Sequence, residues 1–129
     1  MSEFVLDASA VLALVHREPG AERVLAVLDR SALSAVNLAE VVGRLAEAGG
    51  EPADIRRQLR RLPLDVVPLD EDLGYVAGFL RSSTRQWGLS LGDRTCLALA
   101  IRLGATALTA DRAWAKVATD ARIELLRPG

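Results

Sequence analysis

Phe4-Val5-Leu6-Asp7-Ala8-Ser9-Ala10-Val11-Leu12-Ala13-Leu14-Val15 joins two habits of chain in one short stretch. Phe4, Val5 and Leu6 are apolar without alternation, as in a strand covered on both faces. Asp7 interrupts them, and Ala8 to Val15 then reads as a helix that stops before the breakers Glu18-Pro19-Gly20. A buried strand that ends on an acid and turns directly into a helix opens a parallel α/β unit. Asp7 therefore belongs to the edge where strands end and helices begin, which is where ligands bind in such sheets.

The alternation continues outward from that stretch. Ala21 to Leu28 carries Val24, Leu25, Val27 and Leu28 at helical spacing, and Leu33-Ser34-Ala35 suits a short strand. A helix is expected from Asn37 to Ala48, halted by Gly49-Gly50, and another from Pro52 with Ile55, Leu59 and Leu62 on one face. Leu64 to Pro68 reads as a third strand, and Asp70 as the cap of a helix running to about Gln86. Ser90 opens the most apolar helix, Leu91 to Leu103, with Gly104 as its terminator. Thr106 to Thr109 is a fourth strand, Asp111 to Val117 a short helix and Ile123 to Leu126 a last strand. With short breaks throughout, residues 1–129 are expected to form one domain, a three-layer α/β/α sandwich on a mostly parallel sheet.

Composition narrows the function classes. Hydrophobic residues make up 50% of the chain and mean hydropathy is +0.21, which suits a sheet buried on both sides. The apolar run from Phe4 to Val15 is broken by Asp7 and Ser9 and is too short to span a bilayer, and Glu3 stands where a basic leader would be. Cys96, the single cysteine, rules out an intrachain disulfide framework and a zinc ribbon; its apolar neighbours predict a buried filler. A cytoplasmic protein with no membrane partner is expected. Net charge is −1 and pI about 5.8, so no bulk positive field announces a nucleic-acid binder, and the 16 basic residues are arginines except Lys116.

Asp7 has three counterparts. Glu40 in Asn37-Leu38-Ala39-Glu40, Asp93 in Leu91-Gly92-Asp93 and Asp111 after Ala107-Leu108-Thr109-Ala110 each stand where an apolar run meets a helix start. In a parallel sheet such acids can converge, and a carboxylate cluster is stable only if protons or cations relieve its repulsion, so it reads as a divalent-metal site. Each acid also has a structural explanation. Asn37-x-x-Glu40 and Ser90-x-x-Asp93 fit capping boxes, and Asp7 and Asp111 fit simple N-caps. Ser9, Asn37 and Thr109 accompany the acids, either to orient carboxylates or as turn and cap residues. His16, before Arg17-Glu18-Pro19, reads as a surface residue.

Val5-Leu6-Asp7-Ala8-Ser9-Ala10, Asn37-Leu38-Ala39-Glu40-Val41, Leu89-Ser90-Leu91-Gly92-Asp93-Arg94 and Leu108-Thr109-Ala110-Asp111-Arg112 resemble, in order, the acidic motifs of PIN-domain ribonucleases, and most of all the VapC toxins of toxin–antitoxin pairs. The resemblance covers essentially the whole chain. It implies a PIN fold in which Asp7, Glu40, Asp93 and Asp111 bind Mg²⁺ or Mn²⁺ as the catalytic set, with Ser9 and Thr109 in support. RNA phosphodiesters would be hydrolysed by metal-activated water, leaving a 5′-phosphate. Arg94 and Arg112, each beside an acid, are expected RNA contacts, whereas Arg56, Arg57, Arg60 and Arg61 fit a solvated helix face as well as an RNA groove. Trp87 fits the core edge better than base stacking. The resemblance also implies a homodimer, which the apolar content favours independently, and a small VapB-like antitoxin. That partner would lay an amphipathic segment against the helices between Asn37 and Leu62 and put a polar group among the acids. Haloacid-dehalogenase chemistry is disfavoured because Ser9 stands where a second aspartate is needed. Alternatives within the resemblance are an RNA-processing nuclease that is not a toxin and a catalytically silent partner-binding domain.

Overall fold

In the computed structural model, which describes residues 2–117 and 119–127, strands β1 (Phe4–Leu6), β2 (Ser31–Ser34), β3 (Asp65–Val67), β4 (Thr106–Thr109) and β5 (Arg122–Leu125) form one sheet. Their order is β3-β2-β1-β4-β5, and all four pairings are parallel. Six α-helices cover it: α1 (Ala8–Val15), α2 (Ala21–Val27), α3 (Ala35–Glu47), α4 (Pro52–Arg60), α5 (Glu71–Thr84) and α6 (Leu91–Leu103). The expected three-layer α/β/α sandwich is the fold observed.

Successive strand residues feed opposite layers, as the pleat requires. Leu6, Leu33 and Leu108 are fully buried with Val11, Val24, Val41 and Ile55 of α1 to α4. Val5, Ala32 and Ala107 meet Leu73, Ala77, Cys96 and Leu97 of α5 and α6. Each of the buried leucines stabilises the fold by about 1.5–3 kcal/mol relative to exposure. Cys96 is buried and free, the filler its neighbours predicted. No helix among the described residues is long and apolar enough to cross a membrane.

The chain runs from β1 outward to β2 and β3, then returns to the other side of β1 for β4 and β5. The reversal falls between β1 and β4, and a crevice opens there beyond the carboxyl ends of the strands.

Most boundaries differ from expectation by a residue or two, and one difference changes chemistry. The second strand is Ser31–Ser34, not Leu33-Ser34-Ala35, and α3 starts at Ala35 rather than Asn37. Ser34, extended at φ −68° and ψ 149°, is the N-cap, and its Oγ accepts from the Asn37 amide at 3.0 Å. Asn37 is therefore inside the first turn, and Asn37-x-x-Glu40 is not a capping box. The chain from Arg85 to Trp87 and from Arg112 to Lys116 tightens into 3₁₀ turns where α-helix was expected.

Candidate functional site

Leu6 is level with both Leu33 and Leu108 across the sheet, so the residues that follow them, Asp7, Ser34 and Thr109, come out side by side on the crevice edge. Asp7 is buried as the N-cap of α1. Its Oδ1 accepts from the Ala10 amide at 2.9 Å and from Ser9 Oγ at 2.7 Å, and its Oδ2 accepts from Thr109 Oγ1 at 2.5 Å. The two hydroxyls are held in turn: Ala110 N donates to Ser9 Oγ and Asp111 N to Thr109 Oγ1. Burial pushes the Asp7 carboxyl up to about 6, over the opposing pull of the Thr109, Ser9 and Ala10 hydrogen bonds, and the charge of Asp93 adds to the rise.

Glu40 is oriented by a buried chain of polar groups. Ser34 Oγ donates to Asn37 Oδ1 at 2.7 Å, and Asn37 Nδ2 donates both to Glu40 Oε1 at 2.8 Å and to the Gly92 carbonyl at 3.2 Å. This chain ties α3 to the start of α6. Gly92 lies flat against the Glu40 carboxylate: a β-carbon built there would stand 2.5 Å from Glu40 Cδ. A side chain here would displace the Glu40 carboxylate, so glycine matters at this position for the close approach and not for its backbone angles.

Asp93 and Asp111 are caps, one of the two readings the sequence left open. Asp93 Oδ2 accepts from Ser90 N at 3.0 Å, completing a capping box with Ser90, and Asp111 Oδ1 accepts from Ala113 N at 3.0 Å. Each keeps its other oxygen without a hydrogen-bond partner among the described residues, as does Glu40 at Oε2. The four acids line one open cleft of about 470 Å³, together with Ser9, Leu12, Gly43, Arg44 and Glu47.

Among the described residues, no three His, Cys, Asp or Glu side chains are gathered tightly enough to hold one ion as they stand. The donor set fits a hard divalent cation such as Mg²⁺ or Mn²⁺: the cleft presents the carboxylates of Asp7, Glu40, Glu47, Asp93 and Asp111 with the Ser9 hydroxyl, and neither imidazole nor thiolate. Cys96 cannot supply a thiolate, because burial first, then the charges of Asp7, Asp93 and Glu40, drive its pKa well above the ordinary value.

Arg94 and Arg112, expected as RNA contacts, both lie outside the lining of the acid cleft. Arg94 is partly buried and donates Nη1 to the Ala77 carbonyl of α5 at 3.0 Å, and Arg112 is exposed on its 3₁₀ turn, donating Nε to the Arg127 carbonyl. Trp87 is half-buried. Ser34, Gly92 and Arg44 were not expected at the site. Ser34-x-x-Asn37 is itself a capping spacing, and a glycine at the second position of an apolar helix asks for a packing reason; either signal was available in the sequence.

No curated protein sequence matches this chain. It is similar in structure to the DNA-bound VapBC complex of Salmonella typhimurium, with 20% identity and a TM-score of 0.76 over 98% of this chain and 100% of that one. It is also similar to VapC20 of Mycobacterium tuberculosis, a toxin that cleaves the sarcin–ricin loop (22% identity, TM-score 0.72, covering 89% of this chain and 96% of that one). FitAcB of Neisseria gonorrhoeae is a third likeness, at 24% identity and TM-score 0.66 over 95% and 97% of the two chains. At these identities the likenesses establish the fold. The PIN domain family model matches residues 4–120, and the chain belongs to that family.

Proposed function

We propose that this chain is a divalent-metal-dependent endoribonuclease that acts as the toxin of a toxin–antitoxin pair, in the manner of VapC. The observation that carries the reading is the convergence of Asp7, Glu40, Asp93 and Asp111 on one cleft at the reversal point of a PIN-family sheet. A divalent ion held by these carboxylates supplies Lewis acidity toward a phosphodiester and a water of lowered pKa. The chain's own contribution is positioning. Ser9 and Thr109 fix both oxygens of Asp7, and Asn37 fixes Oε1 of Glu40. The free oxygens of Glu40, Asp93 and Asp111 are those available to a cation. Hydrolysis of an RNA strand leaves a 5′-phosphate and a 3′-hydroxyl.

The toxin assignment draws on the structural likeness to VapBC complexes and on an apolar groove away from the acids. That groove, about 470 Å³, has Leu38, Val42, Ile55 and Leu59 on its walls and Arg56 and Arg60 among its lining. It suits an amphipathic segment of a small VapB-like antitoxin, lying where the helices between Asn37 and Leu62 were expected to receive one. We take the working form to be a cytoplasmic homodimer. Cleavage of a labelled RNA that needs Mg²⁺ or Mn²⁺, stops with EDTA and is lost in Asp7→Asn is the expected result. Undiminished cleavage by Asp7→Asn would overturn the site assignment.

A further inference from the structure

One cation lines the acid cleft. Its lining includes Asp7, Glu40, Glu47, Asp93 and Asp111, against Arg44 alone. Arg44 follows Glu40 by one helical turn and so projects from the same face of α3. It is exposed and, among the described residues, makes neither an ion pair nor a side-chain hydrogen bond, although Glu40 and Glu47 flank it on that helix. Among the described residues, some of the other surface arginines are paired, Arg23 with Glu124, Arg57 with Asp54 and Arg102 with Asp70, and others such as Arg56 and Arg60 are not; what sets Arg44 apart is its place on the acid cleft.

Arg44 also borders a second pocket of about 490 Å³, which shares Ser9, Leu12 and Glu47 with the acid cleft and continues to His16 and Arg127. A path therefore leads from the acids, past one free guanidinium, into an adjoining hollow. The hollow balances Arg44 and Arg127 against Glu18 and Glu47, so it neither attracts nor repels a polyanion strongly. The planar guanidinium fork matches two oxygens of one phosphate, which a lone ammonium does not.

We propose that Arg44 is a phosphate-binding residue of this cleft, gripping the phosphodiester next to the scissile one, with the RNA strand leaving through the pocket between Arg44, His16 and Arg127. This rests on the nuclease reading above. The grip concerns backbone, so it carries no sequence preference.

The test uses the cleavage-silenced Asp7→Asn protein with Mg²⁺ and short fluorescent single-stranded RNAs of different sequence, read by anisotropy over a range of salt. Adding Arg44→Gln should weaken binding about tenfold, the cost of one charge-assisted hydrogen-bonded contact. The weakening should be equal for every RNA, and the slope of log affinity against log salt should fall by about 0.7, one counterion for a single strand. Arg44→Lys should restore the slope and only part of the affinity. Unchanged affinity and slope in Arg44→Gln, with wild-type protein still cleaving RNA, would overturn this proposal alone. Wild-type protein that neither binds nor cleaves RNA would overturn both it and the nuclease reading.

Discussion

Asp7 shows how much one side chain can reveal. Its carboxyl has an ordinary value of 3.8 in an open chain and about 6 in the fold, raised by burial. Below about pH 4 both states are protonated at this position, and the stability is at its full value. As pH rises through 6 the folded chain must ionise a buried acid, and stability falls by about 3 kcal/mol in total. In EDTA, Asp7→Asn should therefore flatten the loss of stability between pH 4 and 7 and melt above wild type at pH 8. An unchanged profile in urea titrations would show that Asp7 is not the group responsible. Gly92 gives a different signature. Alanine there is a better helix former by about 1 kcal/mol, but its β-carbon must push aside the Glu40 carboxylate, the mobile end of a side chain. Gly92→Ala should thus stay within about 1 kcal/mol of wild-type stability while Mn²⁺ binding by calorimetry drops sharply, and equal binding would contradict the Glu40 role. Asp7, Asp93 and Asp111 were legible because each marks a helix start in its own segment, whereas Glu40 lies in the second turn of α3 and was picked out through a helix start read two residues late. Ser34 and Gly92 left only general signals, a capping spacing and a glycine inside a helix, while the place of Arg44 on the cleft depends on the elements that α3 meets.

At the scale of elements, the boundary between β2 and α3 is the instructive one. Ser31 looks like loop chemistry, yet it pairs with Phe4, is buried and donates its hydroxyl to the Val27 carbonyl at 2.7 Å. A buried polar residue satisfied by a preceding turn is invisible to hydrophobic periodicity, so the strand start was read two residues late and the helix with it. The displaced cap matters energetically. Ser34→Ala removes the acceptor for the Asn37 amide and the donor to Asn37 Oδ1, and should cost about 1–2 kcal/mol in denaturant melts. Wild-type stability would mean that another group caps α3. Helix α5 poses the opposite case, a regular element with an uncovered face. Leu73 and Ala77 pack on α6, but Tyr75 is 59% and Phe79 75% exposed, their ring centroids 6.2 Å apart beside Gly74 and Gly78. Paired aromatics this exposed favour burial against a second copy, which fits the expected homodimer. Phe79→Asp should convert a dimer into a folded monomer in light scattering; a wild-type monomer at micromolar concentration would exclude the dimer.

For the whole molecule, alternating apolar strands and amphipathic helices sufficed to give three layers and a parallel sheet, because each element's covering is written in its own periodicity. The order β3-β2-β1-β4-β5 was not, since pairing depends on which strand edges meet after the helices pack. That order is what brings Asp7 beside Thr109, and it also sends α3 and α4 to the layer opposite α5, so the apolar groove and the aromatic face of α5 open from different layers. A partner in the groove and a second copy on α5 would therefore not compete. The groove has an apolar floor with Arg56 and Arg60 in its lining, which selects an amphipathic helix whose apolar residues are flanked by Asp or Glu. Apolar burial would supply most of the affinity and the charges the register. Val42 is 37% exposed on the groove wall, one turn from Leu38, and takes no part in the hydrogen bonds that orient Glu40. Val42→Glu should leave the fold and RNA cleavage intact while placing a carboxylate against the acidic flank of the partner. Expressed with a VapB-like antitoxin, the wild-type chain should co-purify with it and permit growth, whereas Val42→Glu should lose the partner and become toxic. If Val42→Glu still co-purifies and is harmless, the partner binds elsewhere. If the wild-type chain is harmless when expressed alone, the toxin reading falls while the nuclease reading stands on its own test.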